Sequence, residues 1–476
     1  MSKSLKRNAF INAIRTIFNV IFPLITFPYA SKVLGVTNVG KFTFANSIVS
    51  YFILIAGLGI YSYSVREGAL YKDDKVKISE FFSEILVINI LSMIASYVLL
   101  FCLYFSWEKL YAYKVLLLIL SFSIALITFG CEWIYVVYEE FIYITLRSVL
   151  FQCIAIVYLF LFVKDKNDVI YYAVFFVISS TGSNIINVML LRKKVYFTFR
   201  NIINLKKHIV PILTLFATSI ANVIYVNSDM TLLGLFSNDY HVGLYSVSTK
   251  VYSIVKGILA AIIIVSIPRM SYYWNKKQNK KFKELGEQIF EFLFIFGFPS
   301  IVGLIVLSKE IILIVSSKEY LASVDSLIIL SCALVFSIFS WFFQSCILIP
   351  SKNETKVLKA TLLSALVNII FNIILIPIYH QNAAAFTTFL AEMLSMILSI
   401  VYSLNIWKLS IKIRDIFTVI VGCIGIILYS IFIKGCHLAL LSNVILTIVG
   451  SLFIYLVAVI VFRKDLIYSL VKKRMN

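Results

Sequence analysis

The sequence predicts an all-α polytopic membrane protein of about fourteen transmembrane helices. Of its 476 residues, 61% are apolar or aromatic and 14% are charged, and the mean hydropathy is +0.96. A soluble globular domain is about 45–50% apolar and about 25% charged, so a water-soluble enzyme is excluded. The apolar residues come in continuous runs of twenty or more. Strands of a membrane β-barrel instead alternate over about ten residues, which excludes that architecture too. At about 20 residues per span the apolar chain fills about fourteen crossings and leaves little for a soluble domain.

Runs bounded by charges place the spans at 10–31, 42–65, 81–105, 115–136, 141–163, 169–190, 211–236, 243–267, 288–307, 327–349, 360–379, 383–405, 416–433 and 438–462. The first run follows Lys3, Lys6 and Arg7, as a signal peptide would. Asn12, Arg15 and Asn19 interrupt it and Pro23 and Pro28 follow, so it reads as a retained span. Thirty of the 43 Lys and Arg residues fall in connections on one side, nine on the other and four within spans. This bias places both termini in the cytoplasm. It also explains the net charge of +20 topologically, without nucleic acid as a partner.

The longest outer connection, 308–326, has nineteen residues, too few for the large extracytoplasmic loop in which membrane glycosyltransferases, polymerases and ligases place their chemistry. The segment 268–287 mixes aromatics with lysines and reads as an interfacial amphipathic helix on anionic lipid. The seven cysteines form no C-x-x-C pair and lack metal-ligand spacing, so no disulfide framework, metal site or cofactor is expected. No Walker A sequence occurs, which leaves ion or substrate gradients as the energy source.

A weak repeat relates spans 1–2 to spans 7–8. Leu34-Gly35 and Val39-Gly40-Lys41-Phe42-Thr43 echo Leu233-Gly234 and Val242-Gly243-Leu244-Tyr245-Ser246. The offset of six spans divides the chain into residues 1–205, 206–407 and 408–476, that is, two six-helix lobes and two further helices with a basic tail. Paired halves of this kind are common in transporters.

Ionisable residues inside spans are costly and mark candidate sites. On span 1, Asn8, Asn12, Arg15, Asn19 and Thr26 lie within roughly 60° of one line, a polar stripe read as a cavity wall. Span 7 carries Ser219, Asn222 and Asp229. Asp229 and Lys250 each lie about 10 Å below the outer surface, so an ion pair between them is expected, either neutralising a hairpin or forming a switchable wall. Lys256, six residues deeper than Lys250, is then left without an anion. Glu132 and Arg147 match in depth and read as a structural pair. On span 12, Thr388, Glu392, Ser395, Ser399 and Tyr402 share a face, and Glu392 reads as a mid-membrane acid with no obvious cation beside it, either a candidate proton carrier or a protonated side chain hydrogen-bonded to a neighbour. Asn368, Asn372, Ser180, Asn184 and Asn187 read as helix-packing polar groups. Arg15, Lys250 and Lys256 against Asp229 leave the cavity net positive, suited to a phosphate or pyrophosphate head group.

The stretch from Pro23 to Tyr29, with Val33-Leu34-Gly35 and Val39-Gly40-Lys41-Phe42, closely resembles the N-terminal signature of Wzx-type O-antigen and capsular repeat-unit flippases. These belong to the multidrug/oligosaccharidyl-lipid/polysaccharide exporter superfamily. Gly59-Ile60, Arg66-Glu67, Asp229, Leu233-Gly234, Val242-Gly243-Leu244-Tyr245 and Lys250-Val251-Tyr252 fit as well. The resemblance implies two six-helix lobes around a central cavity, and alternating access that moves an undecaprenyl-pyrophosphate-linked oligosaccharide to the outer leaflet of a bacterial plasma membrane. Arg15, Lys250 and Lys256 fit the cavity cations that hold pyrophosphate in the related lipid II flippases, although the cation placement is not that of the lipid II branch. Asp229 or Glu392 would exchange H⁺ or Na⁺, and a polysaccharide polymerase and chain-length regulator are expected as protein partners. Two alternatives stay open: an ion-coupled multidrug antiporter of the same superfamily, which would want acidic cavity residues, and a non-transporting scaffold of glycan assembly.

Overall fold

The computed structural model describes residues 3–198, 205–407 and 412–463, with side chains for all of these except 3–17, 19, 20, 218 and 222. No strand occurs among the described residues. The chain divides into two compact units, Met1–Gly243 and Leu244–Asn476.

The first unit contains α1 (Lys3–Gly57), α2 (Ile60–Gly68), α3 (Lys75–Ser106), α4 (Lys114–Gly130), α5 (Glu132–Val137), α6 (Phe141–Phe162), α7 (Val169–Val177), α8 (Asn184–Leu191) and α9 (Lys206–Phe236). It also takes in the first turn of α10 (Asp239–Asn275). Helix α1 is central and packs against α3, α4, α6 and α9. It breaks at Gly35, whose φ of 73° is disfavoured for any residue with a Cβ. Gly59, with φ 74°, makes the second sharp bend, into α2. Helix α3 starts at Asp74, whose carboxylate accepts the backbone N–H groups of Val76 and Lys77 at 3.0 and 3.1 Å, an N-cap. Those bonds, that of Lys77 foremost, hold the Asp74 carboxyl below the usual range. Between α2, α3, α5 and the start of α9 lies an apolar core that includes Ile60, Phe81, Ile85, Trp133 and Ile212.

The second unit contains the rest of α10, then α11 (Asn279–Val306), α12 (Ser308–Val315), α13 (Val324–Phe342), α14 (Glu354–Ser403), α15 (Ile413–Gly435) and α16 (Leu440–Phe462). Helices α13 and α14 form its most extensive pairing, while α15 and α16 form a hairpin against α11. Small residues allow the hairpin to close. A Cβ on Gly422 would lie 2.5 Å from the Tyr455 ring, and one on Gly450 would lie 2.2 Å from Tyr429. Arg463, 2% exposed, binds Glu291 of α11 and Asp415 of α15, and Tyr455 donates to the Ile295 carbonyl.

Among the described residues, ten helices are long and apolar enough to cross a membrane. The number is twelve if each of two bent pairs, Val169–Gly182 with Asn184–Leu191 and Lys206–Ala221 with Val223–Phe236, counts as one span. Two of the ten, Ile21–Gly68 and Glu354–Ser403, hold 48 and 50 residues, about 70–75 Å of helix against a hydrocarbon core of about 30 Å. Each contains a break, at Gly35 and at His380. Counted as single helices these make ten to twelve among the described residues, and each of the two long ones has the length for two crossings.

One expectation is corrected. Residues 268–287 are not a separate interfacial helix: α10 continues to Asn275 and α11 begins at Asn279. A tight turn joins them, in which Lys277 N–H bonds the Trp274 carbonyl and Gln278 N–H that of Tyr273. Met270 and Phe282 are buried there, because the apolar positions of this segment belong to two packed helix ends.

Candidate functional site

Tyr252 and Lys256 are four residues apart on α10 and share a face. Both reach Glu392 of α14, which is 5% exposed. Lys256 Nζ donates to Glu392 Oε1 at 3.1 Å, the Tyr252 hydroxyl at 3.2 Å and Ser337 of α13 at 2.8 Å, so three donors converge on one carboxylate oxygen. The Lys256 ammonium also lies 5.5 Å from the Tyr252 ring centroid. Polar groups continue along α14 on both sides of this cluster. Towards one end Tyr245 and Thr388 share a hydrogen bond of 3.0 Å. Towards the other, Ser340 and Ser395 are 2.7 Å apart, and the Gln344 amide nitrogen lies within 3.0–3.1 Å of the hydroxyls of Ser340, Ser395 and Ser399, of which it can donate to two at a time. Gln344 sits in a π-helical turn, Phe343–Leu348, a distortion that recurs at functional positions.

The two groups that the sequence left without partners therefore meet each other. Counting depth by Cα places Lys256 below Glu392. The lysine stem, tilted towards the helix N-terminus, covers most of that difference. Glu132 and Arg147 also come together, at 2.5 Å, with Arg147 3% exposed. Asn184 lies 3.5 Å from the guanidinium, and Tyr135 and Tyr143 bond Asn187. The span-6 asparagines thus belong to the same buried network. Asp229, 8% exposed, belongs to the first unit and Lys250, half-buried, to the second. Asn12, Arg15, Asn19 and Asn222 lie outside the residues whose side chains are described.

The glycines of the weak repeat are packing partners. A Cβ on Gly40 would lie 1.7 Å from the Asp239 carbonyl oxygen and one on Gly243 2.1 Å from that of Val36. One on Gly234 would lie 2.0 Å from the Phe44 ring. Beside them Lys109 donates to the carbonyls of Gly234 and Leu235, and Tyr113 to Asp239. Lys109 thereby supplies a cation to the C-terminal end of α9, where the helix dipole favours one.

In the second unit a groove of about 400 Å³ runs along α10, α11 and α16, lined by Val255, Ile258, Phe296, Pro299, Leu452 and Tyr455 among others. Most of the lining residues are apolar, with Ser300, Thr447, Ser451 and Tyr455 the exceptions.

Sequence reasoning missed one buried polar cluster in each unit. In the first, Tyr63, Glu84, Lys207 and His208 converge. Glu84 was visible as an acid within span 3, whereas His208 sits beside Lys206 and Lys207 and reads as part of a polar connection. In the second, Arg463 with Glu291 and Asp415 lies at span ends, where charges are ordinary. Among the described residues no three His, Cys, Asp or Glu side chains gather as a metal site.

Residues 5–274, more than half of the chain, match the family described as polysaccharide biosynthesis protein. The chain is 24% identical over 388 residues to a protein named as an O-antigen transporter from Shigella dysenteriae, covering 79% of this chain and 94% of that one. A protein of the same name from Escherichia coli is 24% identical over 275 residues, 56% of this chain and 65% of the relative. Among solved structures, lipid II flippase MurJ in its inward closed conformation superposes with a TM-score of 0.72 at 20% identity, covering 97% of this chain and 99% of that one. The Vibrio cholerae MATE transporter VcmN, as a mutant, gives 0.55 at 13% identity over 85% and 96%. The chain belongs to the polysaccharide biosynthesis protein family and has the fold of the MurJ and MATE transporters.

Proposed function

We propose that this polysaccharide biosynthesis family member is a flippase that moves undecaprenyl-pyrophosphate-linked oligosaccharide units from the cytoplasmic to the outer leaflet of a bacterial plasma membrane. The relatives named as O-antigen transporters support the substrate class. The observation that carries the mechanism is the Lys256–Glu392 pair at 3.1 Å.

Two lobes, residues 1–205 and 206–407, rock about a cationic cleft, with 408–476 peripheral and both termini cytoplasmic. Arg15, Lys250 and Lys256 meet the anionic head group, while Asn12, Asn19 and Asn222 supply hydrogen bonds. A pyrophosphate oxygen competes with Glu392 for Lys256. Freed of its cation, a carboxylate this deeply buried is costly and takes up H⁺ or Na⁺, so head-group binding and ion binding are linked at one residue. Asp229 is the second candidate for that exchange. The apolar groove along α10, α11 and α16 fits a segment of polyprenyl tail, which keeps the tail out of the polar cleft. Glu132 and Arg147 hold the first lobe together.

The test is the leaflet distribution of lipid-linked repeat units in a strain deleted for the chain. Accumulation on the cytoplasmic face, relieved by wild type and not by Arg15→Ala or Lys256→Met, is the expected result. A normal distribution overturns the flippase reading. Export by Glu392→Gln that responds to a proton or sodium gradient as wild type does removes Glu392 from coupling.

A further inference from the structure

The first unit holds a buried titratable cluster that this mechanism does not use. His208, near the start of α9, places Nδ1 2.6 Å from the Tyr63 hydroxyl of α2 and Nε2 2.7 Å from Glu84 Oε2 of α3. Tyr63, Glu84 and His208 are 5%, 3% and 4% exposed. Lys207 reaches the same carboxylate oxygen at 2.9 Å through a side chain that is 53% exposed. The Phe81 ring packs against both Tyr63 and His208, and Trp133 of α5 packs against Phe81. The other charged and titratable neighbours are Arg66, 5.9 Å from the Tyr63 ring centroid and paired with Glu67 at 3.4 Å, and Tyr71, whose ring lies against Phe81. Cys131 belongs to the same core.

We propose that Tyr63, Glu84 and His208 form a proton-binding site at the N-terminal end of α9, with His208 as the acceptor and Lys207 as the group displaced. An ionised carboxylate only accepts hydrogen bonds, so His208 Nε2 carries the proton directed at Glu84. Nδ1 of the neutral ring then accepts from Tyr63. When a proton adds at Nδ1, the phenol oxygen becomes the acceptor and turns its own proton away, so both contacts of the ring persist in both charge states. Imidazole is the side chain suited to change charge near neutrality. Once it does, the one negative charge of Glu84 faces two cations, and Lys207, already half in water, is the partner that leaves. Proton uptake therefore frees a lysine at the end of α9 that the charge bias of the connections places on the cytoplasmic side.

The site does not depend on which substrate is carried, so its test is independent of the flippase reading. The full-length chain, with ¹⁵N-labelled histidine and in lipid nanodiscs, is titrated from about pH 5 to about pH 8.5 by NMR, a range chosen to bracket imidazole. His208→Gln assigns the resonance among the four histidines of the chain. The expected result is one step from neutral ring to imidazolium at His208. Glu84→Gln moves that step by about one pH unit, and Lys207→Met moves it in the opposite sense, because one variant removes the anion and the other its competing cation. Lys207 is exposed, so Lys207→Met keeps the test available where Glu84→Gln does not fold. A His208 resonance in one protonation state throughout, or a step that Lys207→Met leaves in place, overturns the proposal.

Discussion

Glu84 in the first unit and Glu392 in the second are both almost fully buried, both hold a lysine near 3 Å and both have a tyrosine in the same cluster. They differ in what surrounds the lysine. The Lys256 side chain is 26% exposed and lies against the Tyr252 ring, whereas that of Lys207 is 53% exposed and Glu84 has His208 as a second partner. An ion pair of one length thus stands in two different settings. The Lys256 ammonium is the more enclosed of the two, so an anion competes for it better than water does. At Glu84 water can take the cation and the imidazole can replace it.

The largest expected effect breaks the resemblance between the two pairs. Lys256→Met leaves the buried Glu392 uncompensated, a loss of about 3–5 kcal/mol. Lys207→Met removes a half-solvated partner worth no more than about 1 kcal/mol. Thermal unfolding of the purified variants checks the ranking, and equal losses would show that depth does not separate the sites. The double variant Lys256→Met with Glu392→Leu should recover most of the stability, with export still absent.

Next in size is a change to the second unit alone. Arg463→Leu leaves Glu291 and Asp415 facing each other without their shared guanidinium, about 3 kcal/mol by the same reasoning. Protease cleavage between α14 and α15 should rise while the Lys256–Glu392 cluster stays intact, which sharpens the view that the α15–α16 hairpin is held separately from the site.

In the first unit Gly40→Ala puts a methyl group against the Asp239 backbone carbonyl, which cannot rotate away. A loss of about 1–3 kcal/mol is expected from such overpacking. Gly57→Ala, where nothing lies within 4 Å of the added carbon, should be tolerated and serves as its control. The smallest effect is that of Asp74→Ala. The Asp74 carboxyl is lowered in the folded chain, so its cap contributes fully above the usual carboxylate range and is lost as pH falls through the lowered value. Wild type and variant should therefore differ slightly in melting temperature near neutral pH and converge in acid.

The membrane architecture was legible because hydropathy acts residue by residue: an apolar run must be buried in lipid whatever its neighbours do. The Glu132–Arg147 pair was legible for a related reason. Its helices are sequential and antiparallel, so depth alone brings the two charges level. The paired glycines also showed as a repeat, although their mutual contact did not.

Partner choice among distant residues was decided only by tertiary packing. Lys256 and Glu392 are 136 positions apart, on helices whose adjacency no local pattern encodes, and the nearer Asp229 competed for attention on sequence grounds. His208 was hidden by its lysine neighbours, since burial of a single ring depends on α2 and α3 closing over it. The sequence by itself determined how much of the chain must leave water, because that is a sum over single residues. The tertiary structure decided which buried charges neutralise each other, because that depends on which helix faces touch.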